Sequence, residues 1–408
     1  MNESGSVSTV EGHLRSSLPD ALTVLLRRGE RFADAEDAVQ EAALVALDTW
    51  RTRGLPDNPV GWLVRVAHRR LIDQHHRDTA RRRRESLVAS WAIPPSEPEV
   101  FKDDSLALLF LCCHNSLTPS AAIPLTLRAI GGLTTREIGQ ALLIPETTAA
   151  QRISRAKASI TRSNEPFRRP PPNLIDDRLP AVMQIIYLIF NEGHAATSGS
   201  TMMRTDLADE AIRLARQLLE RLPDQPEASG LLALLLLSDA RRPARLAANG
   251  DLVPLDQQDR SLWNRTMIIE GLNLLTRSFD LHSMGEYQLQ AAIAAVHDQA
   301  PTYEQTNWSQ LRAIYNQLTL RSDNPLVRLN RVVAIAHCDG PATVQEEMAV
   351  LRDSLDSNHR YFATLGYLHE MANEPDAARR AYAAAAPLAT NEPERRYLLR
   401  KSLRPGNR

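Results

Sequence analysis

The stretch from Leu133 to Lys157, LTTREIGQALLIPETTAAQRISRAK, constrains this chain more than any other. Thr134 and Thr135 stand where a helix N-cap belongs, and Glu137 follows Thr134 by three residues, the spacing of a capping box. Ile138, Ala141 and Leu142 recur at helical spacing and form one apolar face. Ile144-Pro145-Glu146 breaks that helix, because proline removes a backbone donor and restricts the residue before it. Thr147 and Thr148 then open a second helix, whose exposed face is expected to carry Gln151, Arg152, Arg155 and Lys157. Two helices joined by so short a break predict a helix-turn-helix. Amide and guanidinium groups on its second helix suit base edges and phosphates.

The rest of the composition agrees with helices. The chain has 408 residues, room for two or three domains of roughly 150 residues each. It is 43% hydrophobic but only 5% aromatic, and it lacks alternating Val/Ile/Thr runs, so the predicted class is all-α. The net charge of -1 hides an asymmetry. Met1 to Pro170 holds 23 basic and 20 acidic residues, the remainder 25 basic and 29 acidic. The front part is therefore the candidate nucleic-acid binder. Three cysteines, Cys112, Cys113 and Cys338, make no disulfide framework, which fits a reducing cytoplasm. No secretory signal is evident, and the longest apolar runs fall well short of the ~20 residues a membrane span needs.

Two breaks divide the chain. The first is the Arg81 to Arg84 run followed by Pro94-Pro95-Ser96-Glu97-Pro98, and the second is Pro166 to Asn173 with three consecutive prolines. The expected units are residues 10–90, a linker at 91–102, residues 103–165, and a longer helical part at 174–408. Within that last part, DLADEAIRLARQLLERLPDQPEASGLLALLLLSDARR and LGYLHEMANEPDAARRAYAAAAPLATNEPERRYLL each read as a helix pair broken by proline. Such pairs resemble tetratricopeptide units, although a period of about 34 residues is not clean.

In the front part, FADAEDAVQEAALVALDTW places Ala38, Ala42, Val45 and Trp50 on a core stripe. Asp34, Glu36, Asp37, Gln40 and Glu41 fall on its polar side, where a solvated acidic helix start is as good a reading as a binding surface. In the next segment, NPVGWLVRVAHRRLIDQHHRD, Pro59 suits the first helical position and Trp62, Leu63, Val66 and Leu71 supply apolar contacts. Arg65, Arg69, Arg70, Asp73, His76 and Arg77 lie on or near the other face. From Arg65 to Arg84 eight arginines stand against two aspartates, a plausible phosphate footprint. Trp62 beside these arginines is suited to stack on a separated base, or simply to fill the core.

Taken together, DAEDAVQEA, NPVGWLVRVAHRRLID, a proline-rich linker and LTLRAIGGLTTREIGQALLIPETTAAQRISRAK resemble a bacterial RNA polymerase sigma factor of the extracytoplasmic-function type, over about residues 12 to 165. FLCCHNSLTP, IYLIFNEGHAAT and the helical tail resemble a subgroup with a C-terminal tetratricopeptide-like extension. The resemblance implies two small helical sigma domains joined by a linker, followed by a helical-repeat-like domain. It implies that Asp34, Glu36, Asp37, Gln40 and Glu41 dock on the polymerase core. It implies that Trp62, Arg65, Arg69, Arg70, Asp73, His76 and Arg77 hold the opened minus-ten promoter element, with a flipped base captured around Arg53 to Asn58. Glu146, Thr148, Gln151, Arg152, Arg155 and Lys157 would meet the minus-thirty-five element, with Thr134 and Thr135 near phosphates. The expected partners are RNA polymerase core, promoter DNA and a regulatory protein or small ligand at the C-terminal part. No membrane partner, cofactor or metal is expected.

Other motifs carry less. Cys112-Cys113-His114 lacks the second ligand pair of a zinc site and reads as buried helix. Asn191-Glu192-Gly193-His194 is not an HExxH arrangement and reads as a loop turning at Gly193. No phosphate-binding loop, dinucleotide fingerprint or nucleophile elbow occurs, so catalysis is unsupported. A helix-turn-helix regulator acting without polymerase and a helical scaffold are the competing readings.

Overall fold

In a computed structural model, the chain is described over residues 3–82, 104–112, 114, 116–142, 144–163, 172–194, 205–280 and 284–403. Eighteen α-helices and no β-strand occur among these residues, with one isolated bridge between Leu246 and Leu252. The all-α expectation is met. Two compact units divide between Ile189 and Phe190. None of the described helices is long and apolar enough to cross a membrane.

The first unit opens with three long helices, α1 (Glu3–Arg27), α2 (Phe32–Arg53) and α3 (Pro59–Arg82). Helix α1 runs through Pro19. Gly29 and Gly54 turn the chain between them with φ of 88° and 84°, values that favour glycine. The Gly54 N–H closes α2 on the Trp50 carbonyl at 3.1 Å. Asn58 starts α3 by accepting the Gly61 N–H at 2.7 Å, and Pro59 follows at the position where a missing donor costs nothing. Leu22, Leu25, Ala42, Trp50, Leu63 and Leu71, each at most 2% exposed, form the core of this three-helix group.

Four shorter helices follow: α4 (Asp104–Cys112), α5 (Pro119–Ala129), α6 (Thr135–Ala141) and α7 (Glu146–Ser163). Their apolar stripes meet through Leu108, Leu125, Leu127, Ile138, Ile153 and Ile160. The next helix, α8 (Pro172–His194), continues through the boundary between the units. This corrects the expected loop at Asn191 to His194. The last turn stays helical because its side chains face inward: Glu192 is 3% exposed, and His194 stacks on Phe190 at 5.0 Å, one turn away.

The second unit adds α9 (Thr205–Arg221), α10 (Pro226–Asp239), α11 (Arg265–Asp280), α12 (Glu286–Gln299), α13 (Trp308–Thr319), α14 (Pro325–Asp339), α15 (Gln345–Leu355), α16 (His359–Met371), α17 (Pro375–Ala385) and α18 (Glu392–Leu403). Sequence neighbours pack as pairs, notably α10 with α11, α13 with α14, and α16 with α17. Pro226, Pro325 and Pro375 each begin a helix. Helix α10 is the centre of the unit, with every residue from Leu231 to Leu237 buried. Between α16 and α17 the chain turns at Asn373, φ 56°, inside the expected Asn/Pro break. Gly366 lets these helices close up, since a Cβ there would meet the Tyr382 ring at 2.8 Å.

Candidate nucleic-acid interface

Helix α3 presents two faces. Leu63, Val64, Ala67 and Leu71 are buried, while Arg65, Arg69, Arg70 and Asp73 are exposed. Trp62 lies between them, half-buried, with its ring edge-on to Trp50 at 5.5 Å and 67°. It is neither a closed core residue nor a free wedge. A cleft of about 490 Å³ is lined by Trp62, Arg65, Val66, Arg69, Arg70 and Asp73, with Val45 from α2. Three guanidinium groups and one carboxylate surround an indole, a cationic setting with an aromatic wall. Arg70 also reaches Glu41 at 3.6 Å, but both side chains are about half exposed, so this pair contributes little stability. The side chains of His76, Arg77, Arg81 and Arg82 lie outside what is described, as do residues Arg83 and Arg84 altogether. The turn from Arg53 to Asn58 is exposed apart from half-buried Pro56.

The helix-turn-helix forms as the punctuation predicts. Thr134 Oγ1 accepts the Glu137 N–H at 3.2 Å, and the Glu137 carboxylate accepts the Thr134 N–H at 2.7 Å. Two orphan amides at the start of α6 are satisfied reciprocally. Gly139 is required by the turn, because a Cβ there would come within 2.9 Å of the Ile144 carbonyl. Nothing in the periodicity marks that close approach. The second helix begins at Glu146, slightly earlier than Thr147, with the Pro145 carbonyl accepting from Thr148 and Ala149. Ala149, Ile153, Ala156 and Ile160 are its buried stripe. Glu146, Gln151 and Arg155 are exposed, as is Thr134, while Thr135 and Thr148 are half-buried.

Two residues expected on the open face of α7 are placed otherwise. Arg152 is half-buried, because it flanks the apolar stripe between Ala149 and Ile153. Lys157 points the other way, its side chain 14% exposed, and ion-pairs with Glu36 and with Asp37, the latter at 2.6 Å. The acidic face of α2 is likewise divided. Asp37 and Glu41 are exposed and Asp34 and Gln40 are half-buried, but Glu36 is 1% exposed. Its carboxylate also takes Arg128 of α5 at 3.3 Å. A carboxylate enters such a position when cations neutralise it, and two do. Arg128, alone among apolar neighbours in LTLRAIGG, escaped the sequence reading; its charge inside a buried helix was the signal.

An acidic helix, a tryptophan and arginine cleft and a helix-turn-helix on one chain define a class. Residues 14–82 match sigma-70 region 2, residues 107–160 match sigma-70 region 4, and residues 178–279 match a family of unknown function (DUF6596). Regions 2 and 4 together indicate a sigma-70 family factor, and sigma-70 factors are transcription initiation factors. These regions imply RNA polymerase core and promoter DNA as partners. The chain is similar to the uncharacterized protein R00370 of Rhizobium meliloti (strain 1021). It is 38% identical over 402 residues, covering 94% of this chain and 93% of that protein. No solved structure matches the chain.

Proposed function

We propose that this chain is a sigma factor of the extracytoplasmic-function type, acting in the cytoplasm, with a tetratricopeptide-like C-terminal extension that regulates it. In this reading residues 10–90 bind core and the minus-ten element, residues 91–102 link, residues 103–165 read the minus-thirty-five element, and residues 174–408 control. The observation that carries it is the cleft of Trp62, Arg65, Arg69 and Arg70 on a helix adjoining the acidic helix α2. A repressor that uses only a helix-turn-helix needs neither feature.

In this reading the labour divides between one acidic and two cationic surfaces. Asp34, Asp37, Gln40 and Glu41 offer carboxylates and an amide to cations on the core enzyme, a complementarity that raises association rates. Arg65, Arg69, Arg70, Asp73, His76 and Arg77 track an opened strand while Trp62 stacks on a base, with the 53–58 turn beside them. Gln151, Arg155 and Glu146 face the major groove, with Arg152 and Thr148 at its edge and Thr134 and Thr135 near phosphates. Each reader alone is weak, and linkage through core makes the second contact effectively intramolecular.

Lys157 and Glu36 add a condition. While Lys157 holds Glu36 and Asp37, part of the acidic face is occupied by the chain's own reading helix. Core engagement therefore exchanges an internal cation for one on the polymerase. Binding to purified core enzyme at low ionic strength tests the reading. Wild-type chain should associate, and Asp37→Arg with Glu41→Arg should weaken association at least tenfold. No association of the wild type, or equal affinity of the variant, would remove the assignment.

A further inference from the structure

The chain is poor in aromatic residues, yet five of its eight tyrosines line one cavity in the second unit. Tyr303, Tyr315, Tyr367, Tyr382 and Tyr397 share it with Trp308, around a volume of about 360 Å³. Helices α13, α16, α17 and α18 and the segment before α13, which carries Tyr303, supply these rings, so residues nearly a hundred positions apart converge on one space. The volume lies in the range of small-molecule sites.

The walls are held before any ligand arrives. Trp308 stacks on His337, centroids 3.6 Å apart and planes 2° from parallel. Tyr303 meets the Trp308 ring edge-on at 5.4 Å. The hydroxyls of Tyr303 and Tyr367 lie 3.2 Å apart, and Tyr367 meets His337 Nε2 at 2.8 Å. Burial holds His337 below its usual range and pushes both phenols up, so all three stay uncharged near neutral pH.

Charge selects among ligands. Glu370 and Asp256 line the cavity against one cation, Lys401. Lys401 is already committed: its ammonium is 2.7 Å from Glu370 and 5.3 Å from the Tyr382 ring centre. The cavity thus contains, within the protein itself, a cation held between a carboxylate and an aromatic face. Asp256, by contrast, is exposed at the cavity and forms no ion pair among the described residues. It stands near enough to Tyr303 and Tyr367 for its charge to act on both phenols. A negative group beside several ring faces is the arrangement that attracts organic cations.

We infer that this cavity is a binding site for a small organic cation, an amine, quaternary ammonium or guanidine, whose charge lies between Asp256 and the rings of Tyr303, Tyr367 and Trp308. The site is independent of the sigma assignment. Titration calorimetry on the full chain tests it with choline, agmatine and phenethylamine, and with 3,3-dimethylbutan-1-ol, the neutral carbon analogue of choline. At least one cation should bind one-to-one. If choline is that ligand, it should bind about tenfold tighter than its neutral analogue. Asp256→Asn, at an exposed position, should weaken the cation at least threefold with an unchanged circular dichroism spectrum. Trp308→Leu should weaken it further, and Trp308→Phe should restore part of the loss. Failure of all three cations to bind at 10 mM would overturn the site. So would equal binding of choline and its neutral analogue, or full affinity in Asp256→Asn.

Discussion

Lys157 on α7 and Glu36 on α2 form an ion pair that is almost wholly buried, the carboxylate 1% and the lysine side chain 14% exposed. The helix expected to read one promoter element is thereby fastened to the helix expected to grip polymerase. Arg128 completes the neutralisation from α5. Removing one member of such a group leaves the others charged and unmatched, which costs about 3–5 kcal/mol.

A double-mutant cycle follows from that geometry. Glu36→Gln and Lys157→Met should each lower stability to urea, and the double variant should lose less than the sum. The expected coupling is about 1–3 kcal/mol. Lys157→Met, which frees Asp37 while leaving it charged, should also speed association with core enzyme. Additive losses in urea, or unchanged association in stopped flow, would argue against an internal lock.

The cleft on α3 separates stacking from charge. Trp62→Ala should weaken binding to a single-stranded minus-ten oligonucleotide by about 1–3 kcal/mol in fluorescence anisotropy. Trp62→Phe should retain most affinity, since it keeps a ring against Trp50. Arg65→Ala should instead flatten the dependence of log Kd on log salt by roughly one phosphate contact. Equal effects of Trp62→Ala on duplex and single strand would contradict a stacking role.

On α7, exposure orders the variants. Arg155→Ala, at an exposed position, should cost about 1–3 kcal/mol of minus-thirty-five duplex affinity with an unchanged thermal midpoint. Arg152→Ala should lower the midpoint as well, because that side chain is half-buried. Electrophoretic mobility shifts combined with thermal melts separate the two. A loss of fold in Arg155→Ala with Arg152→Ala unaffected would reverse the placement.

Acid should destabilise the second unit. Burial, helped by the charge of Arg245, pushes His194 down to about 4 from the ordinary 6.5. Its Nδ1 lies 3.8 Å from Asp239, beyond hydrogen-bond reach. Between pH 6.5 and 4 the unfolded state binds the proton and the folded state does not, so stability falls with falling pH by about 3 kcal/mol and levels off below. His297, pushed down to about 3 by burial, acts in the same direction. Asp298, pushed up to about 6 by burial, opposes them, because its folded form holds a proton that the unfolded form has lost above about 4. Urea unfolding at pH 7, 5.5 and 4.5 should show a shallower acid loss in His194→Gln. An unchanged slope would exclude His194 as its source.

Local features were legible in the sequence and long-range ones were not. The Thr134–Glu137 capping box, Pro59 at a helix start and the Asn373 break each depend on residues a few positions apart, where the relevant physics is local. The α3 residues Trp62 to Asp73 also came out on one cleft, because helical periodicity decides which side chains share a face. Glu36 and Lys157 defeated the same reasoning. They are 121 positions apart, and periodicity labels both as polar surface; only tertiary packing turns them inward toward each other. The turn at Asn191 to His194 failed for a related reason, since glycine and charge read as loop until buried neighbours hold the last turn. The tyrosine cavity was invisible because its rings are scattered from Tyr303 to Tyr397 with no common period.

Run-off transcription with purified core RNA polymerase, this chain and a set of genomic fragments measures the central claim directly. The account predicts discrete transcripts that need the chain, disappear with Asp37→Arg and Glu41→Arg combined, and persist more weakly with Arg155→Ala. Tight binding to duplex DNA without core, and no transcript from any fragment, would contradict it.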